Sequence, residues 1–252
     1  MSADNAPERS GSLDVRSITK SFGGLHVFSD VSFRLAPGEL MGVIGPNGAG
    51  KTTLINVISG KLPPSAGSIL LDGREIGGMP FHTLSRLGLV RSFQQTNTFK
   101  SATVRENLAR AIRFSGSPPS IWDKLDGMLR QFDLAPRLDI PGDKLPYGLQ
   151  KMLGLVLAYT TSPRVLLLDE PAAGLERRER QQVDAFVQAV QADHGCAVLI
   201  VEHDMDLIKR LCPRILVLDA GRILAEGPPA EVLARPDVIA AYMGIVEDEE
   251  AA

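Results

Sequence analysis

Residues 45–52 read Gly-Pro-Asn-Gly-Ala-Gly-Lys-Thr and satisfy the pattern GxxxxGK[ST]. Glycines at this spacing let successive backbone N–H groups turn toward phosphate oxygens, and a helix beginning directly afterwards adds its positive end. Lys51 is expected to reach the β and γ phosphates, and the Thr52 hydroxyl to bind Mg²⁺. A plain strand-to-helix turn is disfavoured because an apolar strand and a helix flank the motif. The residues expected to contact nucleotide here are Gly45, Asn47, Gly48, Ala49, Gly50, Lys51, Thr52 and Thr53.

Two carboxylates, Asp169 and Glu170, follow the apolar run 165–168. Asp169 is suited to hold Mg²⁺ through water, and Glu170 to orient and deprotonate an attacking water. By itself such a pair is more often a solvated strand end, but a phosphate loop in the same chain favours catalysis. The chain has no Asn-Lys-x-Asp sequence for reading guanine, which favours ATP as the nucleotide.

The elements that must position these groups alternate between strand and helix. This order predicts an α/β fold with a mostly parallel sheet buried on both faces, and ligands gather at the carboxyl ends of such strands. Short apolar runs around the turn Gly23-Gly24 predict an antiparallel β region at the start. Residues 104–133 show helical periodicity interrupted at 115–120, and further helices are predicted before 165 and over about 177–191. A strand is also predicted over 197–201, and it leads directly into the segment 202–204 that contains His203.

Composition narrows the class of protein. A chain of 252 residues, 44% of them hydrophobic, can bury a core without disulfides. Its 27 Lys and Arg against 30 Asp and Glu give a net charge of -3, which disfavours nucleic acid as the main partner. Cys196 and Cys212 lack metal-ligand spacing and are predicted to be buried free thiols of a reducing compartment. The longest apolar stretch, 238–246, is about half the ~18 residues that span a bilayer.

Five further elements occur in the order found in the ATP-binding subunits of ABC transporters, and the chain resembles that family over nearly its whole length. They are Phe22, Gln94, the segments 145–150 and 173–176, and His203. The resemblance implies that Phe22 stacks on adenine, that Gln94 senses Mg²⁺ and the lytic water, and that His203 contacts the γ phosphate. Taken singly, these are a core aromatic, a loop amide and a surface histidine, and only their order favours the family.

The resemblance implies a P-loop NTPase fold of ABC type. It has a mostly parallel sheet, a flanking antiparallel β region and a helical subdomain at about 95–160. We expect a disordered tail at 1–12, one ATPase domain at 13–246 and an acidic tail at 247–252. The implied catalytic residues are Lys51, Gln94, Glu170 and His203, the metal ligands are Thr52, Gln94 and Asp169, and the signature residues facing ATP of the opposite subunit are Tyr147, Gly148 and Gln150.

Within the family the chain is most similar to the ATP-binding subunits of branched-chain amino acid importers. The similar segments are 22–25, 145–148, 169–175, 202–205 and 236–244. Related importers of urea and other amides share these segments, so the cargo is less defined than the ATPase chemistry. The same resemblance implies the cofactors ATP and Mg²⁺ and a peripheral location on the cytoplasmic face of the inner membrane.

Partners follow from the single phosphate loop, because the family sandwiches two ATP molecules between two subunits. We expect a second ABC ATPase subunit, two membrane permeases that dock at about 104–130, and indirectly a periplasmic binding protein. The apolar positions of that docking segment are equally compatible with packing in their own core. No nucleic acid partner is expected.

Two positions depart from the family pattern. Pro146 replaces the usual signature serine and has neither a hydroxyl nor a backbone N–H, whereas Glu176 replaces an aspartate. This predicts unequal ATP sites in a heterodimer. The competing classes are a soluble ABC-type ATPase of DNA maintenance or translation and a regulator that does not hydrolyse. The sequence shows neither the long coiled coil expected of a DNA-maintenance ATPase nor the tandem ATPase units expected of a translation ATPase. Glu170 and His203 disfavour the regulator that does not hydrolyse.

Overall fold

The computed structural model describes residues 11–92, 99–115, 117 and 121–243, which form two sheets and the helices packed on them. The strands are β1 (Leu13–Phe22), β2 (Leu25–Leu35), β3 (Leu40–Ile44), β4 (Ala66–Leu71), β5 (Arg74–Glu75), β6 (Leu89–Ser92), β7 (Val165–Asp169), β8 (Ala197–Val201), β9 (Arg214–Asp219) and β10 (Arg222–Gly227). The helices are α1 (Lys51–Ile58), α2 (Phe81–Arg86), α3 (Val104–Ser115), α4 (Ile121–Gln131), α5 (Tyr147–Tyr159), α6 (Arg177–His194), α7 (Met205–Leu211), α8 (Pro229–Val232) and α9 (Pro236–Met243). Short 3₁₀ turns at Ala135–Arg137 and Gly142–Lys144 lie between α4 and α5.

The larger sheet has the strand order β10-β9-β3-β8-β7-β6, and all its pairs are parallel except β9 with β10. Every residue of β3, β7 and β8 is buried, as expected for strands covered on both faces. Side chains alternate between two cores: Leu166 and Leu168 join the core on the side of α3 to α7, and Val165 and Leu167 join the other. The predicted parallel sheet is confirmed.

The smaller sheet is antiparallel, with the order β2-β1-β4-β5. Its first hairpin turns at Gly23-Gly24, where Phe22 pairs with Leu25. The inward side chains of β1 lie in the same core as those of β3 and α1, so this sheet covers one face of the larger sheet. The predicted antiparallel region is therefore confirmed, and it lies beside the strand that leads into the phosphate loop.

The segment predicted as helical divides as expected, since α3 ends at Ser115 and α4 begins at Ile121. Their apolar stripes pack with α5 against the larger sheet; the buried members include Val104, Leu108, Ile112, Leu125 and Leu129. These positions therefore serve their own core. Phe114 differs, because it is 76% exposed.

Cys196 and Cys212 are both buried and free, which confirms the predicted packing thiols. Among the described residues, none of the helices has both the length and the apolar character needed to cross a lipid bilayer.

Candidate functional site

The predicted phosphate loop and the carboxylates meet at one edge of the larger sheet. Strand β8 pairs in parallel with both β3 and β7, so the carboxyl ends of these three strands lie side by side. The loop 45–50 follows β3, Asp169 ends β7 with Glu170 next to it, and His203 lies two residues beyond Val201, the end of β8. The topology thus gathers groups that are far apart in the sequence.

The backbone of the phosphate loop requires glycine at two places. Gly45 has φ +150°, and a Cβ there would lie 2.0 Å from the carbonyl oxygen of Leu218 in β9. Gly50 has φ +101°, and its Cβ would lie 3.3 Å from the carbonyl oxygen of Val27 in β2. Left-handed backbone and close neighbours both exclude a side chain. The loop is therefore held between β9 and the first hairpin.

Lys51 opens α1 and is buried, with its ammonium on the loop itself. Its Nζ donates hydrogen bonds to the carbonyl oxygens of Gly45, at 2.7 Å, and of Pro46, at 2.8 Å. Burial lowers the pKa of Lys51, and the Glu170 carboxylate partly offsets this effect. An anion at this loop would supply the charge that two neutral carbonyls cannot. Of the other loop residues, Asn47, Gly48 and Thr52 are exposed, Thr53 is half-buried and Ala49 is buried.

Asp169 lies in a buried ion pair. Its Oδ2 accepts a hydrogen bond from Arg91 Nη2 at 2.6 Å, and both side chains are only 4% exposed. Arg91 Nη1 donates to Asn56 Oδ1 at 2.7 Å and to Ser59 Oγ at 3.0 Å. Arg91 therefore joins β6, β7 and the helix that follows the phosphate loop.

Glu170 and His203, each predicted as a catalytic residue, lie in contact with each other. Glu170 Oε1 lies 3.1 Å from His203 Nε2. The Glu170 backbone has φ +47°, which is uncommon for a residue other than glycine, and its N–H donates to the Val201 carbonyl at 2.8 Å. Such strain persists only where the surrounding structure fixes the residue.

Two buried charges contact the turn that follows Glu170. Lys151 Nζ donates to the Glu170 carbonyl oxygen at 3.2 Å and to that of Ala173 at 2.6 Å. Glu202 Oε1 accepts the Ala172 N–H at 2.7 Å. Neither residue was predicted from the sequence, and Arg91 was not predicted either. Lys151 directly follows Gln150 and Glu202 directly precedes His203, so adjacency to predicted site residues was the only available signal.

The signature segment begins α5 and packs on the turn before α6. Pro146 is the residue before the helix, and Tyr147, its first residue, is 55% exposed. A Cβ on Gly174 would lie 3.2 Å from the Tyr147 ring. A Cβ on Gly148 would lie 1.9 Å from Glu179 Oε1, so a larger residue there would displace the Glu179 carboxylate. The first residues of α5, which carry the signature, therefore pack against residues 174–179 of the same chain.

Gln150 and Glu176 both make contacts within local structure. Gln150 Nε2 donates to the Leu145 carbonyl oxygen at 2.8 Å. Glu176 is the N-cap of α6 and forms a capping box with Glu179, whose Oε2 accepts the Glu176 N–H at 2.9 Å. The lengthened acidic side chain at 176 therefore stabilises a helix start.

Phe22 ends β1 at the tip of the first hairpin and is 47% exposed, with Lys20 Nζ 4.8 Å from the centre of its ring. The same hairpin approaches the phosphate loop through Val27. An exposed aromatic face near the loop is compatible with stacking on a base. Gln94, by contrast, falls at 93–98, outside the described residues.

Comparison with known families shows which family the chain belongs to. A family model described as ABC transporter matches residues 28–173, and one described as branched-chain amino acid ATP-binding cassette transporter matches residues 222–248. This chain belongs to the ABC transporter family. It is therefore an ATP-binding cassette, an ATPase of the kind that powers transport, and the resemblance stated from the sequence is confirmed.

Two curated ABC transporter proteins are similar over almost their whole lengths. High-affinity branched-chain amino acid transport ATP-binding protein BraF of Pseudomonas aeruginosa is 36% identical over 248 residues, covering 92% of this chain and 97% of BraF. LivG of Escherichia coli K12, which has the same descriptive name, shows the same identity and coverage.

The fold agrees with solved ABC cassettes. The crystal structure of the ADP conformation of MJ1267, an ATP-binding cassette of an ABC transporter, superposes with a TM-score of 0.82 at 30% identity. The match covers 92% of this chain and 98% of that one. The predicted α/β fold of ABC type is thereby confirmed.

Proposed function

We propose that this ABC cassette hydrolyses ATP at the edge formed by β3, β7 and β8 and thereby powers the import of branched-chain amino acids. The ATPase assignment rests on one observation: Glu170 Oε1 lies 3.1 Å from His203 Nε2, at the same sheet edge as the phosphate loop with its buried Lys51. The cargo assignment is supported by the similarity to the branched-chain amino acid transport proteins BraF and LivG and by the family match at 222–248. Urea and other amides are the alternative cargo.

Binding of the nucleotide would use backbone amides of the loop 45–50 and the start of α1, together with Lys51. Lys51 Nζ would leave the carbonyls of Gly45 and Pro46 for the β and γ phosphates, which restore a full counter-charge to a buried ammonium. Phe22 would stack on the adenine. Gln94 is proposed to sense Mg²⁺ and the lytic water, as the family pattern implies.

For hydrolysis, Glu170 is proposed to accept a proton from the attacking water. His203 would hold the Glu170 carboxylate and contact the γ phosphate, so its position next to Oε1 orients the base. The developing charge on the phosphate oxygens would be stabilised by Lys51 and by the loop amides.

The residues at this edge fit Mg²⁺, because the carboxylate of Asp169 and the hydroxyl of Thr52 are hard oxygen donors. Among the described residues, no three His, Cys, Asp or Glu side chains are grouped so that they alone could hold a metal. Asp169, Thr52 and Gln94 would therefore hold the ion together with the phosphates. When bound, the ion would neutralise charge on the β and γ phosphates.

A second cassette is proposed as partner because one chain offers a single phosphate loop. The exposed Tyr147, with the amide of Gly148 at the start of α5 and Gln150, would face ATP on that partner. Pro146 removes one donor from this contact, which supports a heterodimer with unequal sites. Glu176, committed here to capping α6, adds to the asymmetry.

Two membrane permeases are proposed to dock on the face that carries α2 and α3. A cleft of about 520 Å³ there is lined by residues including Phe81, Ser85, Ala111 and Phe114. The largely exposed Phe114 is the apolar side chain available to a partner, since the stripe of α3 is buried in its own core. The chain would then lie peripherally on the cytoplasmic face of the inner membrane, and a periplasmic binding protein would deliver cargo.

Two substitutions separate binding from hydrolysis. In Lys51→Ala, ATP affinity should fall about 10- to 100-fold, because a hydrogen bond to a charged group contributes ~1.5–3 kcal/mol. In Glu170→Gln, binding should persist while hydrolysis falls by a factor of about 10²–10⁴, the usual effect of a general base. Equilibrium titration with a fluorescent ATP analogue and phosphate release would measure the two quantities.

The control is Arg164→Met, which removes an ion pair with Asp72 at the opposite end of β7. Full affinity in Lys51→Ala would refute the phosphate site. Undiminished hydrolysis in the assembled transporter carrying Glu170→Gln would refute the assignment of the working site to this subunit. Transport of radiolabelled leucine against urea by the assembled complex would decide the cargo.

A further inference from the structure

The turn at residues 170–173 holds Glu170 in a backbone conformation that is uncommon for residues other than glycine. Its φ of +47° is unfavourable for a side chain with a Cβ. The Val201 carbonyl accepts its N–H, and the Ala173 N–H returns to its carbonyl oxygen at 3.2 Å. These two backbone hydrogen bonds do not include the Ala172 N–H or the Ala173 carbonyl. Two buried charged side chains form hydrogen bonds with those groups.

Lys151 contacts the turn from the side of the signature helix. It projects from the second turn of α5, is 7% exposed, and directs Nζ at the carbonyl oxygens of Glu170 and Ala173. Hydrogen bonds from an ammonium are stronger than those from a neutral donor. The cation thus holds the carbonyl of the very residue proposed as base.

Glu202 contacts the turn from the side of β8. It is 3% exposed, and Oε1 accepts the Ala172 N–H at 2.7 Å. Its Oε2 accepts the N–H groups of His203, at 3.0 Å, and of Asp204, at 3.4 Å. One carboxylate therefore holds both the turn after Glu170 and the backbone of the histidine that contacts Glu170.

Different groups compensate the burial of the two charges. Burial lowers the pKa of Lys151, and the Glu202 carboxylate is the first group that counters this effect. Burial raises the pKa of Glu202, against which its three backbone N–H donors act. A buried charge is costly unless it is paired and hydrogen-bonded, and both side chains meet that need through contacts that fix the turn.

We propose that Lys151 and Glu202 are positioning residues that clamp the 170–173 turn from opposite sides and so set the base Glu170 against His203. This inference rests on the proposed ATPase site and deepens it. Lys151 belongs to α5, whose start would serve the partner's ATP, so the clamp connects the proposed signature helix to the turn of the base.

The kinetic test compares Lys151→Met and Glu202→Gln with the wild-type full-length chain, alone and in the assembled transporter. Each variant should lower kcat at least tenfold while the KM for ATP and the measured ATP affinity stay within about twofold. Lys151→Arg should recover most of the kcat, since a guanidinium can also donate to two carbonyls. The double variant should lose less than the product of the single losses.

The matched control is Arg164→Met. This substitution removes a partly buried cation at the start of β7, whereas the turn 170–173 follows the end of β7. Assays at equal distances below each variant's melting temperature remove the effect of stability. The inference is overturned if Lys151→Met retains the kcat of the control, or if Lys151→Arg gives no recovery.

Amide hydrogen exchange of the 169–176 peptide gives a readout without turnover. Protection of this segment should fall in both clamp variants and remain in Arg164→Met, and unchanged protection would overturn the clamp. Failure of wild-type protein to bind or hydrolyse ATP would instead overturn the proposed function, so the two failures are distinguishable.

Discussion

At the residue scale, Asp169 shows how a predicted metal ligand is kept in a buried site. A carboxylate 4% exposed needs a counter-charge, and Arg91 supplies it through a 2.6 Å contact. Arg91 is fixed in turn by Asn56 and Ser59. Mg²⁺ would therefore have to share Asp169 with a guanidinium that also braces the helix after the phosphate loop.

Arg91→Met tests this arrangement. The substitution leaves the Asp169 carboxylate buried without its cation and should lower the free energy of unfolding by ~3–5 kcal/mol. Urea denaturation of the nucleotide-free chain measures the change. Arg105→Met, which breaks an exposed pair with Asp139, should cost less than ~1 kcal/mol and is the control. Equal losses in the two variants would contradict the role of burial.

Residue-level prediction was strongest where backbone geometry dictates residue type. Gly45 and Gly50 follow from the left-handed turns of a phosphate loop, and both indeed have positive φ. Arg91, Lys151 and Glu202 escaped prediction because their partners lie far along the chain. Nothing in the neighbouring residues indicates that Arg91 will meet a residue 78 positions away.

At the element scale, α6 begins with a capping box in the position of an inter-subunit motif. Glu176 supplies the cap and Glu179 the reciprocal bond, and the Glu179 carboxylate also packs against Gly148, where a Cβ would lie 1.9 Å from its Oε1. The start of α6 therefore positions the start of α5. This contact explains how a departure from the family's aspartate can be accommodated.

Glu176→Ala should lower the free energy of unfolding by ~0.5–2 kcal/mol, the usual cost of losing an N-cap side chain. Guanidinium denaturation followed by circular dichroism would measure it. Glu176→Asp keeps a carboxylate that favours the cap position and should remain close to wild type. An alanine variant as stable as wild type would show that the cap contributes nothing.

Several elements were not assigned from the sequence, namely β5, β6, β9, β10, α2 and α7 to α9. Strand β6 has only four residues, Leu89–Ser92, and a short apolar run cannot be distinguished from a helix segment by periodicity. Longer segments with a clear period, such as α6 and the pair α3 and α4, were assigned correctly within a few residues.

At the scale of the whole molecule, two cores on either face of the larger sheet hold the site together. Cys196 and Cys212 both lie in the core that also contains the helices α3 to α7. Burial raises the pKa of each thiol to about 12, so the reactive thiolate is scarce at neutral pH. Reaction of these cysteines therefore reports opening of that core.

Iodoacetamide at pH 8 should modify neither thiol in the folded chain and should modify both once the chain is unfolded in urea. Mass spectrometry after quenching counts the modified sites, and the urea dependence of labelling should follow the unfolding curve. Glutathione in the same solution controls for reagent activity. A thiol that reacts in the native protein as fast as glutathione would contradict its burial.

Neighbouring residues along the chain were sufficient to identify the phosphate loop and the strand that ends at Asp169, and the order of motifs along the chain was sufficient to identify the family. Local backbone geometry and the order of motifs are both properties that a linear sequence records directly. The pairing of Arg91 with Asp169, the contact of Glu170 with His203 and the burial of Lys151 and Glu202 were decided by the fold. They arise because β6, β7, β8 and β3 become neighbours in one sheet, and strand adjacency is set by long-range packing that no single segment specifies.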